Sequence, residues 1–322
     1  MNQIDNQSAN VAIFGGGVAG MSCALWLKQL GYVPHIIECG SVLGGQLNTL
    51  HRINRWVLGF INKTSAEIAK SYSEHIINEQ INCYYQSEII AIETRELGYY
   101  LTVKTQDETI ELMVRAMVIA TGVRVAGLFA DINIAQHLQQ QGQLSFSPFS
   151  HLEKSKPTNK QIVAVIGGGD NAHYTTHDIA QTAAQTYLLM RSKPKAQPKI
   201  RSRVESLIEQ GRVIEYQQTH IIDLSQTTEG KVKLLLSNSH SLEVDHVYIR
   251  VGFTPNSEFL KQFAPLQQIT LNANGYVITD SAKRSNIAGI YAIGDITNGT
   301  QQSIVSALAD GAIAAQSISV LP

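Results

Sequence analysis

Cysteine is scarce in this chain of 322 residues. Only Cys23, Cys39 and Cys83 are present, and the sequence contains no Cys-x-x-Cys pair. Cysteines so widely spaced fit a reducing compartment better than a disulfide framework. A pair formed by Cys23 and Cys39 is conceivable, but both lie in a core pattern in which a free cysteine usually behaves as a small hydrophobe. We therefore expect no redox role for these thiols.

The sequence also lacks net charge and long apolar runs. Its 25 basic and 26 acidic side chains nearly cancel, so no global field recruits nucleic acid or an anionic membrane. No apolar run approaches the roughly 18 residues of a membrane span, and the polar start from Met1 to Gln7 does not resemble a signal peptide. With 44% hydrophobic residues, a globular cytoplasmic protein of two domains is expected, one that binds neither nucleic acid nor membrane.

The chain does contain two copies of a glycine-rich turn. One copy, 15–20, follows the apolar run 11–14, and the other, 167–172, follows the apolar run 162–166. Each copy ends a β-rich segment and opens a helical pattern, which is the context that makes such a turn informative. The first glycine permits the tight turn, the second lets the backbone approach a pyrophosphate, and the third position stays small so that helix and strand can pack. The predicted nucleotide-binding glycines are Gly15, Gly17, Gly20, Gly167 and Gly169.

The two copies differ where the ribose would bind. In the first copy the second strand ends at Glu38, about 20 residues beyond the glycines, where an acid accepts hydrogen bonds from ribose hydroxyls. In the second copy the equivalent strand runs into Arg191, with Lys193 nearby and no acid. A cation there favours a 2′-phosphate, and hence NADP over NAD. The open alternative is that Arg191 lies in a solvated surface turn.

The order of these patterns predicts an α/β fold with two Rossmann-like dinucleotide-binding domains, three-layer, the second inserted in the first. The predicted bounds are 1–122 and 246–322 for the first domain and 123–245 for the second. Because ligands bind at the carboxyl ends of the strands, Asp295 is expected beside the first nucleotide.

Local patterns add three expectations. A helix is expected around 65–77, and two strands are expected at 88–92 and 99–103. The segment from Gln136 to Lys160 is rich in Gln, Ser, Pro and Lys, which indicates an irregular connector.

Six motifs stand in a fixed order along the chain. They are Gly15-Gly16-Gly17-Val18-Ala19-Gly20, Gly44-Gly45-Gln46-Leu47, Ala120-Thr121-Gly122, Gly167-Gly168-Gly169-Asp170, Gly252-Phe253-Thr254-Pro255-Asn256, and Ala292-Ile293-Gly294-Asp295 followed by Gln302-Ser303-Ile304. In order and spacing they resemble the low-molecular-weight thioredoxin reductases, which are class II pyridine nucleotide-disulfide oxidoreductases. The resemblance covers nearly the whole chain.

The resemblance implies a homodimeric flavoprotein with FAD in the first domain and NADPH in the inserted one. By position, Glu38 would hold the adenosine ribose, Gln46 would lie near the flavin and Asp295 would bind the ribityl chain. At a helix start, backbone N–H groups of Gln302 and Ser303 would face flavin N1 and the C2 carbonyl, since a helix N-terminus stabilises the negative charge of reduced flavin. The implied flavin-site residues are Glu38, Gly45, Gln46, Gly294, Asp295, Gln302 and Ser303.

The sequence departs from the family in the parts that exchange electrons. The region corresponding to the family's Cys-x-x-Cys, Ser145 to Ser150, has no cysteine, so thioredoxin reduction by the family's mechanism is excluded. Of the family's cations for the 2′-phosphate, Arg191 is kept. Arg55 precedes Trp56 where the family has Asn, and three roles stay open for it: raising the flavin potential, receiving an anionic ligand, or stacking on Trp56 at the surface.

Two histidines replace the acids that the family carries after the second turn. His173 and His177 share a helix face, but a metal site wants three or four ligands, so no metal is predicted and a polar helix face is expected.

These features predict an FAD-dependent oxidoreductase that passes electrons directly between flavin and an external acceptor or donor, either a small redox protein or a small molecule. NADPH is expected to bind weakly. Three alternatives stay open: a ferredoxin or flavodoxin–NADP reductase-like enzyme, a protein with a second flavin in place of NADPH and disulfide, and a non-catalytic FAD-binding redox sensor. The first is disfavoured because such enzymes carry a C-terminal extension over the flavin, and this sequence ends at Pro322. The physiological donor and acceptor are left undetermined.

Overall fold

A computed structural model describes residues 9–50, 52–126, 133–146, 160–297 and 302–320. Its strands, in chain order, are β1 (Asn10–Phe14), β2 (Val33–Ile37), β3 (Asn82–Tyr84), β4 (Glu88–Arg95), β5 (Gly98–Lys104), β6 (Thr109–Val114), β7 (Ala116–Ile119), β8 (Val123–Val125), β9 (Leu144–Ser145), β10 (Ile162–Ile166), β11 (Gln185–Leu189), β12 (Val213–Tyr216), β13 (Ile221–Gln226), β14 (Val232–Leu236), β15 (Ser241–Val244), β16 (His246–Ile249), β17 (Phe253–Pro255) and β18 (Ile290–Ala292).

The helices follow the same order. They are α1 (Val18–Gln29), α2 (Ser65–Asn78), α3 (Asn133–Gln140), α4 (Asp170–Ile179), α5 (Pro198–Glu209) and α6 (Ile304–Ser319), with short 3-10 helices at Gly45–Thr49, Glu258–Gln262 and Gly294–Ile296. No helix in the described ranges combines the length and the apolar character needed to cross a membrane.

The chain divides into two compact units. The first unit contains Met1–Arg124 and Thr254–Pro322, and the second contains Val125–Phe253. The core of the first unit is a parallel sheet in the order β18-β7-β1-β2-β3. Its central strand, β1, is an apolar run with four buried residues, as expected for a strand covered on both faces. The antiparallel sheet β4-β5-β6 completes this unit, and both of its predicted strands and the helix predicted around 65–77 are present.

Small residues allow α1 and α6 to pack closely. A Cβ added to Gly311 would lie 2.6 Å from the backbone nitrogen of Cys23. Nearby, the Ser22 hydroxyl donates to the carbonyl of Leu308 at 2.7 Å. An added Cβ at Gly294 would lie 2.7 Å from the Ala19 methyl carbon. Glycine at these places therefore sets how closely the start of α1 approaches both α6 and the turn after β18.

The second unit repeats the parallel arrangement in the order β12-β11-β10-β16-β9, with an antiparallel sheet β13-β14-β15. Strand β16 pairs with β10 from Val163↔His246 to Ile166↔Ile249. The prediction that residues from 246 onward belong to the first domain is therefore wrong for β16. An apolar run such as 247–249 suits either parallel sheet. Only the strand with which it pairs shows which sheet it joins.

Part of the predicted connector between Gln136 and Lys160 is also regular. Helix α3 buries Ala135 and Leu138, and Leu144–Ser145 forms β9 at the edge of the second sheet. Two buried apolar residues three apart are enough to hold a short helix in which three of the other six positions are glutamine, a good helix former. The rest of this segment, 147–159, lies outside the described residues.

The α1–α6 contact yields a stability prediction. Gly311→Ala should lower the free energy of unfolding by about 1 to 3 kcal/mol, because its methyl group would meet backbone atoms that cannot move away. The matched control is Gly168→Ala, whose added Cβ would meet nothing nearer than 3.6 Å. Thermal or denaturant unfolding of the two variants checks this, and equal stability of both would contradict the packing argument.

Candidate functional site

The first glycine turn has the geometry of a backbone cradle. Gly15 has a φ of +107°, and a Cβ there would lie 2.5 Å from the carbonyl oxygen of Ala120. A Cβ at Gly20 would lie 2.1 Å from the carbonyl oxygen of Gly15. Gly17 is the N-cap of α1, and the space within 4 Å of its missing Cβ is open. The helix N-terminus, with its unpaired first-turn N–H groups, therefore faces open space, as a bound diphosphate requires.

Glu38 is fixed at the end of β2 by backbone donors. One carboxylate oxygen accepts from the Gly16 N–H at 2.7 Å, and the other accepts from the Gly40 N–H at 2.6 Å. The oxygen facing Gly40 also accepts from the Cys39 thiol at 3.5 Å, whereas the oxygen facing Gly16 keeps a second lone pair. The acid therefore stands at the glycine turn with one acceptor position left, and its role toward ribose hydroxyls stays a prediction.

A second pair of glycines meets this turn from the other side. The Gly44 N–H donates to the Gly16 carbonyl at 2.9 Å. A Cβ at Gly45, where φ is +54°, would lie 3.3 Å from the Cα of Gly17. Next in the chain, the Gln46 amide donates to the Val123 carbonyl, so this side chain is held by the strand that follows β7.

Asp295 lies at the carboxyl end of β18, beside a second acid. Burial raises the pKa of Asp295 above its ordinary value, and the nearby Asp310 carboxylate raises it further. Asp310 accepts from the Gly294 N–H at 3.1 Å, and its other oxygen lies 2.6 Å from Lys283 Nζ. The Lys283 and Asp310 side chains are 19% and 14% exposed, so this ion pair is largely removed from water.

Neither Asp310 nor Lys283 was predicted as a site residue. A signal was present, because Asp310 is the one charged residue in the sequence of α6. A lone charge in an otherwise apolar helix indicates a buried, paired group.

The Ser303 N–H, one of the groups predicted to face the flavin, has a partner within the chain. The Ser303 N–H donates to the Ser306 hydroxyl at 3.0 Å, and the Ser306 N–H donates back to the Ser303 hydroxyl at 3.1 Å. This capping box uses the N–H that was predicted to face the flavin. The first-turn donors at this end of α6 are instead the N–H groups of Ile304 and Val305, whose position in a helix leaves them without an intrahelical acceptor. Gln302 directs its amide to the Asp295 carbonyl at 3.1 Å.

The second glycine turn has the same shape. Gly167 has a φ of +142°, and a Cβ there would lie 2.2 Å from the Arg250 carbonyl oxygen. Gly169 is the N-cap of α4, again with open space around its missing Cβ. The Lys195 N–H donates to the Gly168 carbonyl at 2.7 Å, so the loop that begins at Arg191 folds back onto the turn. Arg191 itself is exposed there.

Polar side chains that were not predicted as site residues are buried near this second turn. The Arg250 guanidinium donates to the Thr175 hydroxyl at 3.2 Å and to the Ser145 carbonyl at 3.0 Å. Burial lowers the pKa of Arg250 to about 10. His173 is fully buried, so the prediction of a polar helix face is wrong for it. Its Nδ1 is 3.0 Å from the Gly169 carbonyl, and its Nε2 is 3.4 Å from Arg201.

The three cysteines are in environments that disfavour the reactive thiolate. Cys23 is fully buried, and burial raises its pKa. Burial also raises the pKa of Cys83 to about 11. Cys39 is exposed, but partial burial of its sulfur and the Glu38 carboxylate raise its pKa too. Of the region corresponding to the family disulfide, residues 147–150 lie outside the described ranges.

Sequence comparison decides the family. The model of the family "Pyridine nucleotide-disulphide oxidoreductase" matches residues 9–311. The chain belongs to this family. The match confirms the predicted class, a flavin-dependent oxidoreductase related to thioredoxin reductase.

Individual members of the pyridine nucleotide-disulphide oxidoreductase family are distant. An alkyl hydroperoxide reductase component of Staphylococcus aureus (strain MRSA252) is 26% identical over 310 residues, which cover 95% of this chain and 57% of that protein. The chain thus spans little more than half the length of this relative. Thioredoxin reductase of Borreliella burgdorferi is 26% identical over 316 residues, 95% of this chain and 89% of that protein.

Solved structures confirm the predicted fold class. Lactococcus lactis thioredoxin reductase in its FR conformation superposes with a TM-score of 0.77 at 23% identity, covering 97% of this chain and 98% of that chain. The bacillithiol disulfide reductase Bdr (YpdA) of Bacillus cereus gives a TM-score of 0.78 at 17% identity, covering 97% and 99%.

The raised pKa of Asp295 leads to a pH prediction. An acid with a raised folded pKa stabilises the flavin-free fold while it is protonated, and this contribution is lost as pH rises from the ordinary Asp value to the folded one. Asp295→Asn should therefore raise the thermal stability of flavin-free protein at neutral pH and flatten its pH dependence above pH 4 or so. FAD affinity should fall about tenfold to hundredfold, the cost of one charge-assisted hydrogen bond.

Melting temperature against pH and flavin titration by fluorescence measure the two effects. Asp223→Asn, at an exposed carboxyl on β13, is the control and should change neither. A stabilising Asp295→Asn that leaves FAD affinity intact would refute the assignment of this acid to the flavin site.

Proposed function

We propose that this protein is an FAD-dependent oxidoreductase that passes electrons directly between its flavin and an acceptor or donor outside the chain. Bound FAD would supply a two-electron carrier, and NADPH would be its reductant. The observation that carries the proposal is Glu38, whose carboxylate is held at the first glycine turn by two backbone N–H groups, 2.7 and 2.6 Å away. An acid so placed suits a ribose with free hydroxyls, such as that of FAD.

The residues of the first unit fit FAD along its length. Gly17 caps α1 with open space around its missing Cβ, where a diphosphate would face the helix N-terminus, and Gly45 approaches so closely that a Cβ there would lie 3.3 Å from the Gly17 Cα. At the carboxyl end of β18, Asp295 would accept hydrogen bonds from ribityl hydroxyls. The N-terminus of α6, through Ile304 and Val305, would stabilise negative charge on the reduced ring.

The absence of a Cys-x-x-Cys pair in this sequence supports direct exchange with an external partner. Cys23 and Cys83 have pKa values raised by burial, so neither supplies a thiolate near neutral pH. The partner must therefore accept electrons from the flavin itself. A small redox protein and a small molecule both satisfy this requirement.

We also propose that the protein works as a homodimer in the cytoplasm.

We propose a weak nicotinamide site in the second unit. Arg191 is an exposed cation at the end of β11, where the 2′-phosphate of NADPH would lie. Lys193 and Lys195 are exposed point charges on the same loop and lack the planar fork of arginine. A site with one guanidinium on a solvated loop holds a phosphate less tightly than a cluster does.

The thiol assignment gives one test. Protein with all three cysteines changed to serine or alanine should bind FAD, not FMN, at one per chain and should undergo flavin reduction as fast as the unmodified protein. Acid release with chromatography identifies the flavin, and bleaching under NADPH measures reduction. Loss of reduction in a folded, flavin-loaded variant would show that a thiol takes part. Two flavins per chain without reduction by NADPH would instead favour the protein with a second flavin.

The nicotinamide assignment gives another test. Arg191→Ala should remove any preference for NADPH over NADH, since one charge-assisted contact is worth about 1.5 to 3 kcal/mol. Stopped-flow flavin reduction at increasing nucleotide concentration measures this preference. Lys199→Ala, at an exposed position in the first turn of α5, is the control. Tight and fast reduction by NADPH that survives Arg191→Ala would contradict the weak site.

A further inference from the structure

Four large apolar side chains face solvent within a short loop of the first unit. Ile53, Trp56, Leu58 and Ile61 are 49%, 77%, 99% and 84% exposed. We call these four residues the apolar loop surface. Single exposed apolar residues are normal, but four in nine positions form a patch of the kind that marks an interaction site.

The conformation of this loop is set by contacts that leave the four side chains outside. Its base is closed by a bridge between Ile53 and Thr64 and by the Asn54 N–H, which donates to the Lys63 carbonyl at 2.8 Å. Val57 is buried, and Phe60 packs edge-on against Tyr72 of α2 with ring centroids 5.7 Å apart. Inward-facing apolar residues thus anchor the loop. The outward-facing side chains contribute little to folding, so folding does not explain why apolar residues stand at these positions.

The charged residues within the loop sequence 52–63 are all positive. Arg55 is exposed beside Trp56, and Arg52 and Lys63 lie at the base of the loop. No acidic residue occurs in the sequence between Glu38 and Glu67. Lys63 reaches Glu67 at 3.5 Å with both side chains about half exposed, which leaves the local balance positive.

We propose that the apolar loop surface docks a small electron-carrier protein with an acidic contact face. An apolar centre containing Trp, with a rim of Arg and Lys, matches the anatomy of transient protein interfaces. Cations on the rim steer an acidic partner and raise its association rate. The loop follows the 3-10 helix Gly45–Thr49 in the chain, next to the residues assigned to the flavin side. The choice of an electron carrier as partner rests on the proposed function.

Charge argues against the other occupants of this surface. A second copy of the chain docked through this surface by a two-fold axis would bring one positively charged loop against another, which costs affinity. An anionic bilayer attracts clusters of four to eight cations at about 1 kcal/mol each, more than this loop offers. The net charge of the chain, −1, adds no long-range attraction to such a membrane.

The test titrates flavin-loaded protein with two purified acidic carriers, a flavodoxin and a [4Fe-4S] ferredoxin, by calorimetry at about 20 mM and about 500 mM salt. At least one carrier should bind. Leu58→Ser should raise its Kd about tenfold at both salt concentrations, since a central apolar contact is lost. Arg55→Glu should raise the Kd about tenfold at low salt and much less at high salt.

Matched controls are Leu97→Ser, at a side chain 85% exposed in the β4–β5 turn, and Lys104→Glu, at an exposed cation that ends β5. Both should bind within about twofold of the unmodified protein. Binding of neither carrier, or equal binding by the loop and control variants, would overturn the proposal.

Two further results would overturn it in favour of another occupant. One is a dimer that Leu58→Ser dissociates, measured by sedimentation. The other is binding to vesicles of phosphatidylcholine with phosphatidylserine that Leu58→Ser abolishes. Flavin content is measured separately. Carrier binding that depends on Leu58 in protein unable to hold FAD would keep the docking surface and refute the proposed function instead.

Discussion

The first unit depends on close contacts that only glycine permits. Gly20 lies against the Gly15 carbonyl, Gly294 against Ala19, and Gly311 against the backbone of α1, each at a separation where an added Cβ would come within 2.1 to 2.7 Å. These contacts fix the N-terminus of α1 over the end of β1. They also bring the Asp295 turn to the same edge of the sheet. Asp295 takes its position from this packing, whereas Glu38 and Gln46 are held by hydrogen bonds to backbone groups.

The two glycine turns have similar backbone shapes, but the residue that follows the second strand is acidic in the first unit and basic in the second. In the first unit Glu38 is held by backbone donors, so the cost of ordering it is met when the protein folds. In the second unit Arg191 is exposed on a loop and would lose side-chain freedom whenever it bound a phosphate. One preorganised site and one solvated site suit the permanently held FAD and the exchanging NADPH that we propose.

Buried charged side chains hold the Gly294 turn of the first unit and the residues around the second glycine turn. Asp310 holds the Gly294 N–H and pairs with Lys283, while Arg250 ties the end of β16 to β9 and α4. His173 contacts Arg201, which pairs with Glu215. Removing one partner of a buried pair leaves an uncompensated charge and typically costs about 3 to 5 kcal/mol. Substitutions at these charged residues are therefore expected to destabilise the turns that they hold.

Local sequence patterns predict the two glycine turns, the α/β class, the acid at Glu38 and the absence of Cys-x-x-Cys, because each depends on residues close in the chain. The remaining features depend on contacts between distant residues. Strand β16 joined the second sheet because pairing, not its apolar composition, selects a partner. Ser303 was committed to Ser306 by the capping geometry of α6. The Lys283–Asp310 ion pair and the exposure of apolar residues around Trp56 both depend on which side chains the fold buries. Periodicity in a single sequence does not encode this.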